Sequence, residues 1–202
     1  MLTHTHPPPS KIVHAAREKI SLSPIYLDTE TTGISSYDEI CEIAILDDDN
    51  ETLFESFVKP TIPVSPGARA VNRITEEQIA TAPSFSDIWP NVLGLLQRRT
   101  IAIYNADFDM RLLRQSAARY KFRVPALDTF CVMRLFSAYY GDYNKKTQDY
   151  RWKTLEFAGD HFDITLPNSH RALDDCRLTR AVLHHMAGES PLVRSALRSS
   201  AE

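Results

Sequence analysis

The chain has 202 residues, enough for one full-sized domain and too few for two large ones. With 43% apolar and 24% charged residues it has an ordinary globular composition, and no apolar run approaches the length of a membrane span. A net charge of -3 argues mildly against a simple nucleic-acid-binding protein, which is often basic, but not against a protein that gathers carboxylates around metal. No basic-then-apolar leader opens the sequence. Its three cysteines, Cys41, Cys131 and Cys176, are odd in number and widely spaced, the pattern of unpaired thiols in a reducing compartment. A cytoplasmic location is the expectation.

In chain order, residues 1–10, MLTHTHPPPS, are expected to form a tail that includes His4 and His6. Residues 11–20 are expected to form a short helix. From residue 25 the pattern sharpens. A strand is predicted over 25–31 and a second over 39–46, EICEIAIL. The turn cluster DDDN at 47–50 leads to a third strand beginning TLFESF, so strands two and three are expected to form an antiparallel hairpin. A Pro-rich loop follows at 60–66. A short helix is predicted over 75–80, with Thr75 as N-cap and Gln78 completing a capping box. An amphipathic helix follows at 85–96, then a strand at 100–105 feeding a helix at 107–120. A short strand, ALDT at 126–129, feeds a helix at 130–139. Residues 141–151 read as a polar loop, and the last helix is predicted over 171–186. Three early strands followed by strand–helix alternation predict an α/β fold, a mixed sheet covered by helices.

Acids stand where apolar residues are expected. Alternate residues of a strand share a face, so Asp28 and Glu30 project side by side from the first strand. At about 100° per residue, Asp109 shares a helical arc with Leu112, Leu113 and Ser116. Asp107 falls on the other side and is expected to pair with Arg111, four residues on. In the last helix, Asp175 lies within the arc of Ala172, Cys176, Thr179, Val182 and Leu183, whereas Asp174 lies outside it beside Arg177. A single inward acid is usually a hydrogen-bonded structural residue, but four in one domain imply a shared purpose. Two like charges at about 4 Å repel by roughly 4 kcal/mol at an effective dielectric near 20. Four gathered carboxylates therefore protonate or move apart unless cations sit among them. An oxygen-only set suits Mg²⁺ or Mn²⁺, and two such ions form the usual clamp for attack on a phosphodiester. His170, one turn before Asp175, is placed to take a proton from an attacking water.

The segments DTETTG, NADFD and HRALDD, in this order, resemble the three motifs of the DEDDh 3′–5′ exonucleases. The likeness runs over residues 23–188, which would form the exonuclease domain, with 1–22 and 189–202 flanking it. The resemblance implies an RNase H-like fold, a five-stranded mixed sheet with helices on both faces. It implies that Asp28, Glu30, Asp109 and Asp175 hold two ions, Mg²⁺ or Mn²⁺, and that His170 is the general base. The implied reaction releases 5′-mononucleotides from a 3′ end. Thr31, Thr32, Gly33, Ile34, Asn72, Arg73, Asn105 and Phe108 become candidates for substrate contact. Gly33 is expected to let backbone approach the sugar, and Phe108 has two readings, a base-packing residue or a core residue. Asn72 stands where many relatives carry His, as does Tyr104. Lys145, Lys146 and Arg151 are candidates to meet the incoming strand.

A single-stranded end is the expected substrate, because a terminal nucleotide must leave its stack to react. Similarity of wording in RIT and HRALDDC favours DNA. The alternatives are an RNA exonuclease of the RNase T or oligoribonuclease kind, a proofreading subunit acting with a polymerase, and a non-catalytic nucleic-acid-binding module. A homodimer is a further possible assembly.

Overall fold

The computed structural model describes residues 9–166 and 170–189. The expected tails, with His4 and His6, fall almost wholly outside them. The elements are α1 (Ser10–Ser21), β1 (Ile25–Thr31), β2 (Ile40–Asp47), β3 (Thr52–Phe57), α2 (Pro66–Asn72), α3 (Glu76–Ala80) and α4 (Phe85–Leu96). They continue with β4 (Ile101–Ile103), α5 (Ala106–Arg119), β5 (Thr129–Cys131), α6 (Val132–Tyr140), β6 (Tyr143–Asn144), β7 (Asp149–Tyr150), α7 (Leu155–His161) and α8 (Ala172–Met186).

The sheet has the order β3-β2-β1-β4-β5, with β1, β2 and β3 antiparallel and β4 and β5 parallel to β1. This is the expected five-stranded mixed sheet. Strand alternation sorts its residues into two cores. Ile25, Leu27, Ile43, Ile45, Ile101 and Ile103 pack on one side with Trp89 of α4 and Leu112 and Leu113 of α5. Tyr26, Ala44, Leu46 and Ala102 pack on the other with Phe136 of α6 and Cys176, Val182 and Leu183 of α8. Small residues dominate where α8 crosses β1 and β2. Cys176 Sγ lies 3.5 Å from both Tyr26 O and Ala44 O, so the helix sits directly on the sheet. All three cysteines are unpaired. Among the described residues no helix is long and apolar enough to cross a membrane.

Local chemistry explains most boundaries. Thr75 and Gln78 form the expected capping box on α3. Two helices arise where none is predicted. Ser65 accepts from Ala68 N and Pro66 occupies the first turn of α2. Thr154 accepts from Phe157 N at the start of α7. The predicted polar loop at 141–151 contains the hairpin β6–β7, pairing Tyr143 with Tyr150 and Asn144 with Asp149. The ALDT strand is also displaced. Ladder pairing begins at Thr129, while the Asp128 carbonyl accepts from Ile101 N at 2.8 Å and its carboxylate from Thr100 Oγ1 at 2.6 Å.

The acidic turn after β2 does more than reverse the chain. Asp48 is buried, accepts from Tyr26 Oη at 2.8 Å, and lies 2.9 Å from His184 Nε2. Arg180 Nε donates to the Asp48 carbonyl at 2.5 Å. Burial raises the Asp48 pKa, but its bonds to His184 and Tyr26 and the charge of Arg180 outweigh that and hold it below the usual value. The turn thereby fastens α8 to the sheet. Asp48→Asn is expected to destabilise the fold by about 1–3 kcal/mol at pH 7 in urea unfolding. The folded-state pKa is depressed, so this contribution is present above about pH 4 and fades as pH falls through the folded pKa. A pH-independent difference would contradict the assignment.

Candidate active site

Asp28 stands at the middle of β1 and Glu30 near its C-terminal end, both on the face covered by α8. The register of β1 with β2 shifts between Glu30 and Thr31, an irregularity typical of strands that re-aim a side chain beside a site. Asp109 comes from the first turn of α5, which leaves the C-terminal end of β4, and Asp175 from the first turn of α8. Both are buried, as their helical phase predicts. Thr29 Oγ1 donates to Asp109 Oδ1 at 2.8 Å and sets its rotamer. The four acids and His170 line one cavity of about 310 Å³, together with Asn105 and Phe108.

Their electrostatics is that of crowded anions. Burial first, then Asp109, Asp175 and Glu30, push the Asp28 pKa well above the carboxylate range. Burial, Asp175 and Glu42 raise Glu30 to about 8. Burial raises Asp109 to about 7 against its hydrogen bonds, and burial with Asp174 and Glu42 raises Asp175 to about 7. The group suits hard cations. Ligand atoms of Glu30, His170 and Asp175 all lie within 4.8 Å of one another, and Asp175 Oδ1 is buried with no hydrogen-bond partner.

The chain before α8 is tied down beside this group. His170 takes φ +52°, uncommon for a residue with a side chain. Next to it, Arg171 grips the buried Glu42: Nε lies 3.1 Å from both carboxylate oxygens and Nη2 lies 2.7 Å from Oε1. Ala172 N donates to Glu42 Oε2 at 3.3 Å, and Arg171 covers the Phe57 ring at 5.0 Å. Glu42 faces Glu30 across the β1–β2 pair. The sequence offered little to single out either residue, since their partnership spans 129 positions. Tyr104 also lines the cavity, as do Thr154, Leu155 and Glu156, which were unanticipated. The cap signal of Thr154 was readable; its proximity to the acids was not.

Several residues expected to meet substrate have partners within the chain. Thr32 is fully buried, donating to Asp38 Oδ1 at 2.7 Å and accepting from Glu39 N at 3.0 Å. Asn72 is buried too, its amide turned to Thr31 O at 3.3 Å and its oxygen to Ile74 N at 3.1 Å. Neither is among the residues that line the cavity. Gly33 has an internal reason: a Cβ there would stand 2.6 Å from Asp38 Oδ2. Thr31 is buried and donates to Gly33 O. Ile34 is 80% exposed, and Arg73, in the left-handed region at φ 57°, is exposed at the end of α2. Phe108 packs against the core, as one of its readings has it, and also lines the cavity, under Arg111 at 5.2 Å. Asp107 pairs with Arg134 at 2.6 Å, not with Arg111. Arg111 instead donates to Ser35 O and Ile34 O, and Gln115 to Asp38 O, so that α5 clamps the loop after β1. Asp174 pairs with Arg177 as expected.

The raised carboxyl pKa values have a measurable consequence. The folded, metal-free protein keeps protons that the unfolded chain gives up near pH 4, so its stability should fall as pH rises from about 5 to about 8. Mn²⁺ or Mg²⁺ should reverse the loss and release protons on binding at pH 7, read by calorimetry in buffers of different ionisation enthalpy. Asp175→Asn should reduce that release. Binding with no proton release would refute the crowded-anion account.

Comparison with known proteins agrees with this geometry. The family model RNase_T, described as exonuclease, matches residues 25–183. The chain is 35% identical over 170 residues to the uncharacterized exonuclease CP81 of Escherichia phage 186, covering 81% of this chain and 87% of that protein. It is 29% identical over 161 residues to exodeoxyribonuclease 10 of Escherichia coli K12, covering 78% of this chain and 65% of that one. A PolC-type DNA polymerase III of Caldanaerobacter subterraneus subsp. tengcongensis is 29% identical over 168 residues, covering 80% of this chain but only 11% of the polymerase. In structure, E. coli exonuclease I in complex with a dA16 oligonucleotide superposes with a TM-score of 0.68 at 19% identity, covering 88% of this chain and 43% of that one. The chain therefore belongs to the RNase_T exonuclease family and carries the DEDDh motifs on an RNase H-like fold.

Proposed function

We propose that the protein is a metal-dependent 3′–5′ exonuclease that removes 5′-mononucleotides from single-stranded DNA. The observation that carries this is the single cavity at the end of β1, where Asp28, Glu30, Asp109, Asp175 and His170 meet. The name of exodeoxyribonuclease 10 and the dA16 bound to exonuclease I support DNA as the polymer.

Two divalent cations, Mg²⁺ or Mn²⁺, held by Asp28, Glu30, Asp109 and Asp175, would offset phosphate charge and acidify the attacking water. The remaining work falls to the chain. His170 takes the proton of the water that attacks the phosphorus joining the last two nucleotides. The bond from that phosphorus to the 3′ oxygen of the preceding nucleotide breaks, and this oxygen leaves, taking up a proton from solvent. The Arg171–Glu42 grip keeps His170 in its left-handed conformation at the rim, so the base needs no reordering before reaction. Asn105 and Phe108 line the cavity where the terminal nucleotide would lie, and Ile34 stands exposed on the clamped loop beside it. Arg73 is an exposed cation for the backbone.

The test is hydrolysis of 5′-labelled DNA and RNA oligomers of one sequence, with Mg²⁺, Mn²⁺ or EDTA. A metal-dependent ladder that shortens from the 3′ end, faster on DNA, is expected. His170→Ala should lower kcat by about 10²–10⁴-fold. Faster cleavage of RNA would overturn the choice of polymer, and no cleavage of either would overturn the nuclease reading. Arg171→Lys removes the two-pronged grip and should lower kcat about tenfold, a change of ~1.4 kcal/mol in the barrier, with KM little changed. Added to His170→Ala it should cost nothing more, because it acts through that histidine. Additive losses would mean that Arg171 works elsewhere.

A further inference from the structure

Two large aromatic side chains stand open to solvent at the β6–β7 hairpin, Tyr143 in β6 and Trp152 two residues beyond β7. Trp152 is 59% exposed and Tyr143 is 50% exposed. Tyr143 is braced by Tyr150, with ring centroids 5.3 Å apart at 72°. Around them stand the exposed cations Lys145, Lys146 and Arg151. Residues 141–153 hold four basic and two acidic residues, in a chain whose net charge is negative.

This patch is continuous with the catalytic cavity. Lys153 turns inward, its Nζ 2.6 Å from Asp142 Oδ2 and 5.0 Å from the Tyr140 ring centroid. Its neighbours Trp152 and Thr154 are exposed, and Thr154 lines the cavity. Tyr104, also in the cavity wall, places Oη 2.9 Å from Lys153 O and 2.8 Å from Thr154 O. The backbone that carries Trp152 is therefore anchored to the wall of the site. An exposed indole on a fixed support, next to cations and leading into an anion-lined cavity, matches the flat bases and charged backbone of a single strand.

We propose that Trp152 and Tyr143 form a stacking platform for the nucleotides preceding the 3′-terminal one, with Lys145, Lys146 and Arg151 on their phosphates. The platform rests on the proposed function for its place along the strand. It makes long single strands better substrates than dinucleotides, without base preference, since every base has a π-face.

The chain has two tryptophans, and the other, Trp89, is 3% exposed, so a fluorescence change on adding oligonucleotide reports chiefly on Trp152. The probes are oligothymidylates of about two and about twelve nucleotides, with phosphorothioate linkages that resist hydrolysis, in Mg²⁺. The twelve-mer should quench and the dimer should not. Trp152→Ala should weaken twelve-mer binding about tenfold and lower the ratio of twelve-mer to dimer kcat/KM by a similar factor. Trp152→Phe should recover most of that loss and Trp152→Leu little, which separates stacking from bulk. Lys145→Ala with Lys146→Ala should flatten the slope of log affinity against log salt by roughly 1 to 1.5.

Equal losses for dimer and twelve-mer, or rescue by Leu as good as by Phe, would overturn the platform. Its failure is distinct from failure of the nuclease reading. Normal hydrolysis with no length effect of Trp152→Ala rejects the platform alone. Length-dependent quenching without any hydrolysis rejects the nuclease reading and leaves a single-strand-binding surface.

Discussion

Four carboxylates share one partly dry cavity, and much of the surrounding structure answers to that fact. Burial raises the proton affinity of all four, and the charges of Asp109 and Asp175 raise it further for Asp28 and Glu30. Folding alone does not reward such an arrangement, because like charges in a low dielectric repel unless protons or cations intervene. Strong scaffolding must bring the acids together. The sheet supplies Asp28 and Glu30 from one strand, and two helices bring Asp109 and Asp175 by their first turns. The helix N-termini contribute partial positive charge there, which eases the crowding a little.

The scaffold's devices lie in the second layer of contacts. Ala44 and Cys176 let α8 lie directly on β1 and β2, which draws Asp175 toward Glu30. At the far end of α8, Asp48 gathers Tyr26, Arg180 and His184 and fixes the same helix again. At its near end, the Glu42 carboxylate takes both prongs of Arg171. That bond places a buried acid and its cation beside the cluster. Glu42 raises the pKa of Glu30 while Arg171 lowers it, so the pair restrains its own electrostatic cost. On the opposite side, α5 grips the loop after β1 through Arg111, Gln115 and Arg119. The exposed Ile34 thereby sits on a held loop.

The legible parts of the chain were those governed by local periodicity. Apolar and β-branched runs marked β1 and β2, and period two paired Asp28 with Glu30. Helical phase selected Asp109 over Asp107 and Asp175 over Asp174, and burial agrees in both cases. The Thr75–Gln78 box and the amphipathic α4 were equally local. Errors arose where a local rule met a distant partner. Asp107 has an acceptable helical neighbour in Arg111 but meets Arg134 across a helix boundary. The packing of Thr32, Gly33 and Asn72 against Asp38, Glu39, Thr31 and Ile74 was equally hidden, because none of it follows from local pattern. The hairpin was hidden because strands of two residues carry no periodicity.

The sequence by itself determined the α/β class, the strand and helices that carry the acids, and which acid of each pair turns inward. These follow from backbone geometry acting over a few residues. Tertiary structure alone decided that the four acids and His170 share one cavity, that Arg171 closes on Glu42, and that Tyr104 ties the backbone at Lys153 and Thr154 to the cavity wall. Those outcomes depend on how α8 and α5 pack on the sheet, through contacts between residues up to 150 positions apart, and no local pattern encodes such a distance.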